Sequence, residues 1–425
     1  MKSLSITIFF ILYSFKIKPT FQSHITYPFK KSKKEEKYYP ENLLQNDIEI
    51  TLKIGTPPQS IDLNLRSKAY TFFVSSSEIK LRYQTFNEFN STTLIKETEY
   101  PDSYGLQEYN KGYKIYESII INEKEIKNIS LILATSIVYR ESGALGLRLV
   151  NSHEIGDDLS FIYQIKKPAN LDNYAFTLRY EDDEKGELII GTYPHLYDKI
   201  YSESNFYYTK AGIIGKNEDW VLDFDLIKYD NKTVDSIITK SLIKIEFGLL
   251  QAPFKLKKYF NDNFFNNKCK EKFYYKKNIT LIHCDKDFNI TKFKNLSFVL
   301  KDIDYEFILT YKELFIEQNN EFIFSIVFDE NIDNKDTTWI LGKIFMKKYQ
   351  LTFDLDRKII CLYKENTYNE YYKKKSGILF YIILLIILLF VILGLITYIV
   401  YITTKQRRKK AFELNDDFDY VPSDL

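Results

Sequence analysis

The residue types that could carry chemistry in this chain are few, and their spacing limits what they can do. Cys269 and Cys284 lie 15 positions apart. In an oxidising compartment they are the natural pair, and closing that loop would contribute roughly 3 kcal/mol through loop entropy. Cys361 sits in the apolar run Lys358-Ile359-Ile360-Cys361-Leu362-Tyr363 and reads as a buried free thiol. His24, His153, His195 and His283 are scattered without ligand spacing, so neither a metal site nor a cofactor is expected. No Gly-rich phosphate loop and no Ser-His-Asp arrangement stands out. Asn-x-Ser/Thr sequons begin at Asn90, Asn128, Asn231, Asn278, Asn289 and Asn295, which makes these the candidate glycan acceptors.

Sequons and a disulfide have meaning only in a secreted or luminal chain, and the ends of the sequence supply that context. Leu4 to Phe15 is an apolar run of signal-peptide length, too short to cross a bilayer. It predicts a signal peptide over 1–22. Ile378 to Ile402 is almost wholly apolar and is followed by Lys405, Arg407, Arg408, Lys409 and Lys410, the pattern of a stop-transfer helix with its basic side in the cytoplasm. The expected topology is a large luminal or extracellular domain, a juxtamembrane stretch at 367–377, one span at 378–402 and a cytoplasmic tail at 403–425 that is acidic from Ala411 onward. The compartment would be the secretory or endolysosomal membrane, or the cell surface. Charge excludes another class of partner: 59 basic against 57 acidic side chains leave a formal +2, too little to argue for nucleic acid.

Between these ends the patterning is that of strands. Ile48 to Ile54 and Ile61 to Leu65 alternate with period two and are rich in β-branched residues. Similar runs follow at 113–121, 130–135, 174–180, 187–190, 220–228, 297–300, 305–309 and 350–355. The helix candidates are Leu159 to Ile165 and Leu256 to Phe264, so the chain is expected to be mostly β. The charge run Phe29 to Lys37 reads as part of a linker or short pro-segment spanning 23–45.

Several of these runs, in collinear order, resemble the pepsin-like aspartic proteases. Ile54-Gly55-Thr56-Pro57-Pro58-Gln59 is similar to the opening signature of that family. Ser142-Gly143-Ala144-Leu145-Gly146-Leu147 resembles the strand threading behind the first active loop. The stretch headed by Phe161, the hairpin 174–191, Trp220 and the block Trp339 to Phe345 followed by Tyr349 and Phe353-Asp354 continue the likeness, over roughly Gln45 to Tyr363. The resemblance implies a bilobal β fold with an N-terminal lobe at 46–207, a C-terminal lobe at 208–366, an interlobe cleft and a β-hairpin flap near Tyr104. It also implies a second-lobe disulfide where Cys269 and Cys284 lie.

Catalysis in that family needs an Asp from each lobe, because two carboxylates about 3 Å apart share one proton, one serving as base and the other as acid. Aligned without gaps, the first loop falls on Arg66-Ser67-Lys68-Ala69 and the second on Lys244-Ile245-Glu246-Phe247-Gly248. Arg66 and Lys244 then occupy the dyad positions, and Lys68 and Glu246 replace the loop glycines. Neither cation can serve as the general base, so no catalytic residue is assigned. At about 5 Å and an effective dielectric near 20, two such cations would repel by about 3 kcal/mol, and Glu246 is expected to relieve this by folding onto Lys244 or reaching Arg66. Two routes back to a carboxylate exist, a two-residue shift that brings Glu246 into the second loop and the use of Asp62 in the first. The expected function is an inactive, membrane-anchored homologue whose cleft binds a peptide or protein; the alternatives are an active aspartic endopeptidase with unrecognised carboxylates and a structural surface glycoprotein.

Overall fold

The computed structural model describes residues 24–32, 41–69, 71–79, 84–101, 109–137, 141–149, 160–214, 217–235, 239–265, 269–274, 279–329, 338–364 and 368–416. The signal-peptide segment, Tyr104, His153, Asn278 and the end of the acidic tail lie outside these residues. Residues up to Asn366 form one compact unit, and Thr367 onward forms a second.

The first unit is built on strands, as the period-two runs require. Ile48–Ile54 buries Ile50, Leu52 and Ile54 and leaves Thr51 and Lys53 exposed, which is how an alternating sequence makes a half-buried strand. A 13-stranded sheet runs from Phe206–Lys210 at one edge to Ile95–Pro101 at the other. It crosses between the halves of the sequence, because Thr352–Asp354 pairs with Ala175–Tyr180, and Ile359–Tyr363 pairs with Phe206–Lys210. Nine-stranded and four-stranded sheets hold the second half. Trp220, Phe176 and Phe353 pack together at ring separations of 4.9 to 6.0 Å, joining the two halves in one continuous core.

With 14 glycines in the chain, tight turns must use other residues. Asn122-Glu123, Asp230-Asn231 and Asn319-Asn320 all have positive φ and close two-residue hairpins. Asn and Asp tolerate that conformation because their short side chains bond locally.

Two expectations need correction. Phe29 to Lys31 are not linker: Ile25–Lys31 is a strand paired with both Lys185–Ile190 and Ile48–Ile54, and Ile25 and Phe29 are buried in the core. The run 220–228 is two strands, Val221–Phe224 and Leu226–Tyr229, which pair with different sheets. After Trp339–Leu341 the chain turns into helix Lys343–Tyr349, and Gly342 between them passes the carbonyls of Leu249 and Phe247, where a Cβ would come within 2.4 Å of both. The helix expected over Leu256 to Phe264 is present, α-helical over Lys255–Phe260 and continuing as a π turn to Phe265.

Cys269 and Cys284 are disulfide-bonded and sit opposite each other on adjacent antiparallel strands. Cys361 is a buried free thiol, and burial pushes its pKa up. The second unit is a single helix, Tyr368–Asp416, containing a candidate span at Leu384–Arg408 with mean hydropathy 3.0. At 49 residues it is about 70 Å long, well beyond what a bilayer core requires.

Candidate functional site

Two crossing loops of equal length lie at corresponding places in the two halves. Leu145, on the strand Gly143–Gly146, is flanked by Leu65 in parallel register and by Phe72 in antiparallel register. Leu341, on Trp339–Leu341, is flanked in the same way by Ile243 and Leu250. The loop from Leu65 to Phe72 therefore corresponds to the loop from Ile243 to Leu250, residue for residue. Arg66 matches Lys244, Ser67 matches Ile245 and Lys68 matches Glu246. Asp62 lies back along the first strand, bonded to the Thr51 hydroxyl at 2.5 Å and 3.6 Å from Lys30, so it does not reach the loop.

Arg66 ends the strand Gln59–Arg66 with only 16% of its side chain exposed. Its guanidinium donates to Asp47 Oδ1 and to Glu141 Oε2, each at 2.9 Å. Glu141 is 2% exposed and also accepts from Asn64 Nδ2 at 2.7 Å. Burial alone works against the charged guanidinium, but Glu141, Asp47 and Glu246 outweigh it and hold the Arg66 pKa above its ordinary value. The planar fork is thus committed inside the protein.

Glu246 does reach across between the halves, though its hydrogen bonds are to Ser67. Glu246 Oε2 accepts from the Ser67 backbone N–H at 3.1 Å and from the hydroxyl at 2.7 Å, while Ser67 Oγ accepts from Ile245 N–H at 3.1 Å. The other oxygen, Oε1, is buried without a partner among the described residues. The segment before Ile48–Ile54 adds further ties. Asn46 N–H donates to Glu246 O, Asn46 Nδ2 to Ile245 O, and Gly248 N–H to Leu44 O, at 2.8 to 2.9 Å. Gly248 is required at that crossing, since a Cβ there would lie 2.0 Å from the Leu43 carbonyl oxygen. Lys68 is exposed and Lys244 is half-buried.

Sequence reasoning missed Asn46, Asp47, Asn64, Glu141, Arg148 and Asp219. One signal was present: a buried arginine demands carboxylates, and an Asn inside the apolar run Ile61 to Leu65 marks a polar contact in the core. Among the described residues no group of His, Cys, Asp and Glu is placed to hold a metal. His24 stacks on Tyr197, His195 bonds the Tyr363 hydroxyl, and His283 bonds Glu321.

Asp219, just before the second-half strand Val221–Phe224, accepts from Trp220 N–H at 2.9 Å. Burial raises its pKa; Glu246 adds to that, and Arg148 and Lys244 oppose it. A carboxyl with a raised folded pKa favours the native state while protonated, and that advantage fades as pH rises above the ordinary value near 3.8. Asp219→Asn should therefore gain stability relative to the parent between acid and neutral pH. Melting temperatures of the two proteins across that range check this, and a constant difference would contradict it.

Comparison with known proteins agrees with this geometry. The family model for eukaryotic aspartyl proteases matches residues 49–364, which covers both loops and the strands that carry them. A search of curated proteins returned no match. On the strength of that coverage, the chain belongs to the eukaryotic aspartyl protease family.

Proposed function

We propose that this family member has lost hydrolysis and serves as a peptide- or protein-binding module, anchored by one span with its large domain on the luminal or extracellular side. The observation that carries the reading is the matched pair Arg66 and Lys244, with Arg66 already forked between Asp47 and Glu141. A shared-proton dyad needs two carboxylates at these places, and an arginine this strongly paired gives up no proton at any working pH. Two other carboxylates around the loops have tasks of their own. Glu246 holds Ser67, and Asp219 caps Trp220. What remains is the scaffold, and the interlobe cleft that family membership implies is the part of the fold that can still take an extended peptide.

The full-length protein in detergent, offered a mixed peptide library at acid pH, should release no products above a blank. Cleavage abolished by an inhibitor directed at aspartic dyads would overturn the reading in favour of an active endopeptidase. Enrichment of particular peptides from the same library separates a binding module from a purely structural glycoprotein.

The orientation has independent support, because Asn90, Asn128, Asn231, Asn289 and Asn295 are all exposed. Treatment of the membrane-expressed chain with an N-glycanase should lower its apparent mass in steps. No change in mass would count against the luminal placement.

A further inference from the structure

The strand Phe206–Lys210 is an edge of the large sheet and pairs antiparallel with Ile359–Tyr363. Two backbone bonds fix which way its groups point: Lys364 N–H donates to Asn205 O, and Ala211 N–H to Lys358 O, each at 2.9 Å. Bonding residues alternate along an antiparallel ladder, so Tyr207 and Thr209 also turn their N–H and C=O toward Ile359–Tyr363. Phe206, Tyr208 and Lys210 turn theirs outward, away from the sheet. The Phe206 N–H is taken by Glu203 O, which leaves its carbonyl. Among the described residues no backbone group meets the outward N–H and C=O of Tyr208 and Lys210. The opposite edge of the sheet, Ile95–Pro101, is guarded as edges usually are, by a register shift between Lys96 and Glu99 and by a terminal proline. Phe206–Lys210 carries neither guard. Its register is unbroken over five residues, and Phe-Tyr-Tyr-Thr is a run of strong strand formers. Tyr208 is 48% exposed, and Lys210 is exposed beside it.

We infer that this edge is a self-association surface, on which a second copy of the chain lays its own Phe206–Lys210 strand antiparallel about a two-fold axis at Tyr208. The outward groups select the partner. A strand laid here must present an N–H opposite the Phe206 carbonyl, and both an N–H and a C=O opposite Tyr208. Read in the reverse direction, the edge offers that same set: Tyr208 bonds Tyr208 of the second copy in both directions, and each Lys210 N–H meets the Phe206 carbonyl of the other. A two-fold interface requires one patch complementary to itself, and the backbone of this edge meets that requirement. The side chains agree. Phe206, Tyr208 and Lys210 share one face of the strand, so the axis sets Tyr208 beside Tyr208 and the Lys210 ammonium against the Phe206 ring of the other copy. Sliding the axis to Lys210 would set two ammonium groups opposite each other, which disfavours that register. The two copies then share one sheet that continues across the axis.

The test uses the full chain in phosphatidylcholine membranes. Tyr208→Cys places a thiol opposite its own copy, with Cα atoms about 5.5 Å apart in a hydrogen-bonded antiparallel pair, a separation that a disulfide spans. Phe89→Cys, at a side chain 77% exposed, reports chance collisions, and the parent chain, whose one free thiol is buried, is the blank. Mild oxidation should convert Tyr208→Cys, and not Phe89→Cys, to a covalent dimer. Adding Lys210→Pro should abolish that cross-link, because it removes an outward N–H and leaves the internal ladder whole. Tyr208→Lys, which leaves the backbone unaltered, puts two ammonium groups at the axis and should shift the mass of the chain in detergent from dimer to monomer. A cross-link at 208 no greater than at 89 overturns the inference. So does a cross-link that survives Lys210→Pro, since association would then belong to another surface, the long helix included. A monomeric parent, or a dimer untouched by Tyr208→Lys, overturns it as well.

Discussion

A guanidinium placed at the end of an interior strand decides much about this molecule. Arg66 stands where the chain must turn from one core strand into a crossing loop, and it is only 16% exposed. A charge so placed costs several kcal/mol unless it is paired and hydrogen-bonded. The fold meets that demand with Glu141 and Asp47, and Asn64 in turn fixes Glu141. These partners come from three separate stretches of the first half. Arg66 is therefore the centre of a small buried network around a cation that has no proton to exchange.

The contact between the two loops depends on the same region. With Ser67 in one loop facing Ile245 in the other, only one hydroxyl is available for the crossing. Glu246 joins it, accepting from the Ser67 backbone and side chain while Ser67 accepts from Ile245 N–H. Its second oxygen is left buried and without a partner among the described residues, a cost that the neighbouring ties must offset. The segment at Leu43 to Asn46 provides several of them, and Trp220 adds an indole bond to the Leu147 carbonyl at 2.7 Å. Together these bonds hold the two halves to each other across the loops.

Much of the architecture was legible from the amino-acid order, because it rests on period-two apolar runs and on close-packed motifs. Ile48 to Ile54, the two apolar-apolar-Gly strands and the Cys269–Cys284 pair all lie where those patterns place them. The equivalence of Arg66 and Lys244 could also be counted from the loops. The partners of Arg66 could not be, since a strand period says nothing about which distant carboxylate faces a given residue, and Glu141 is 75 positions away. The strand Ile25–Lys31 was hidden by its lysines, whose long stems leave the core to Ile25 and Phe29. Asn122, Asn128, Asn170, Asn231, Asn319 and Asn320 take up positive φ where glycine would ordinarily serve.

The central claim is that Arg66 is an internally neutralised structural cation, and a double-mutant cycle between Arg66 and Glu141 addresses it most directly. Denaturant unfolding of the parent, Arg66→Met, Glu141→Gln and the double variant would give the coupling between the two side chains. Each single change should cost about 3–5 kcal/mol by stranding a buried charge, and the double variant should cost clearly less than their sum. Strictly additive losses, or an Arg66→Met protein as stable as the parent, would contradict the account.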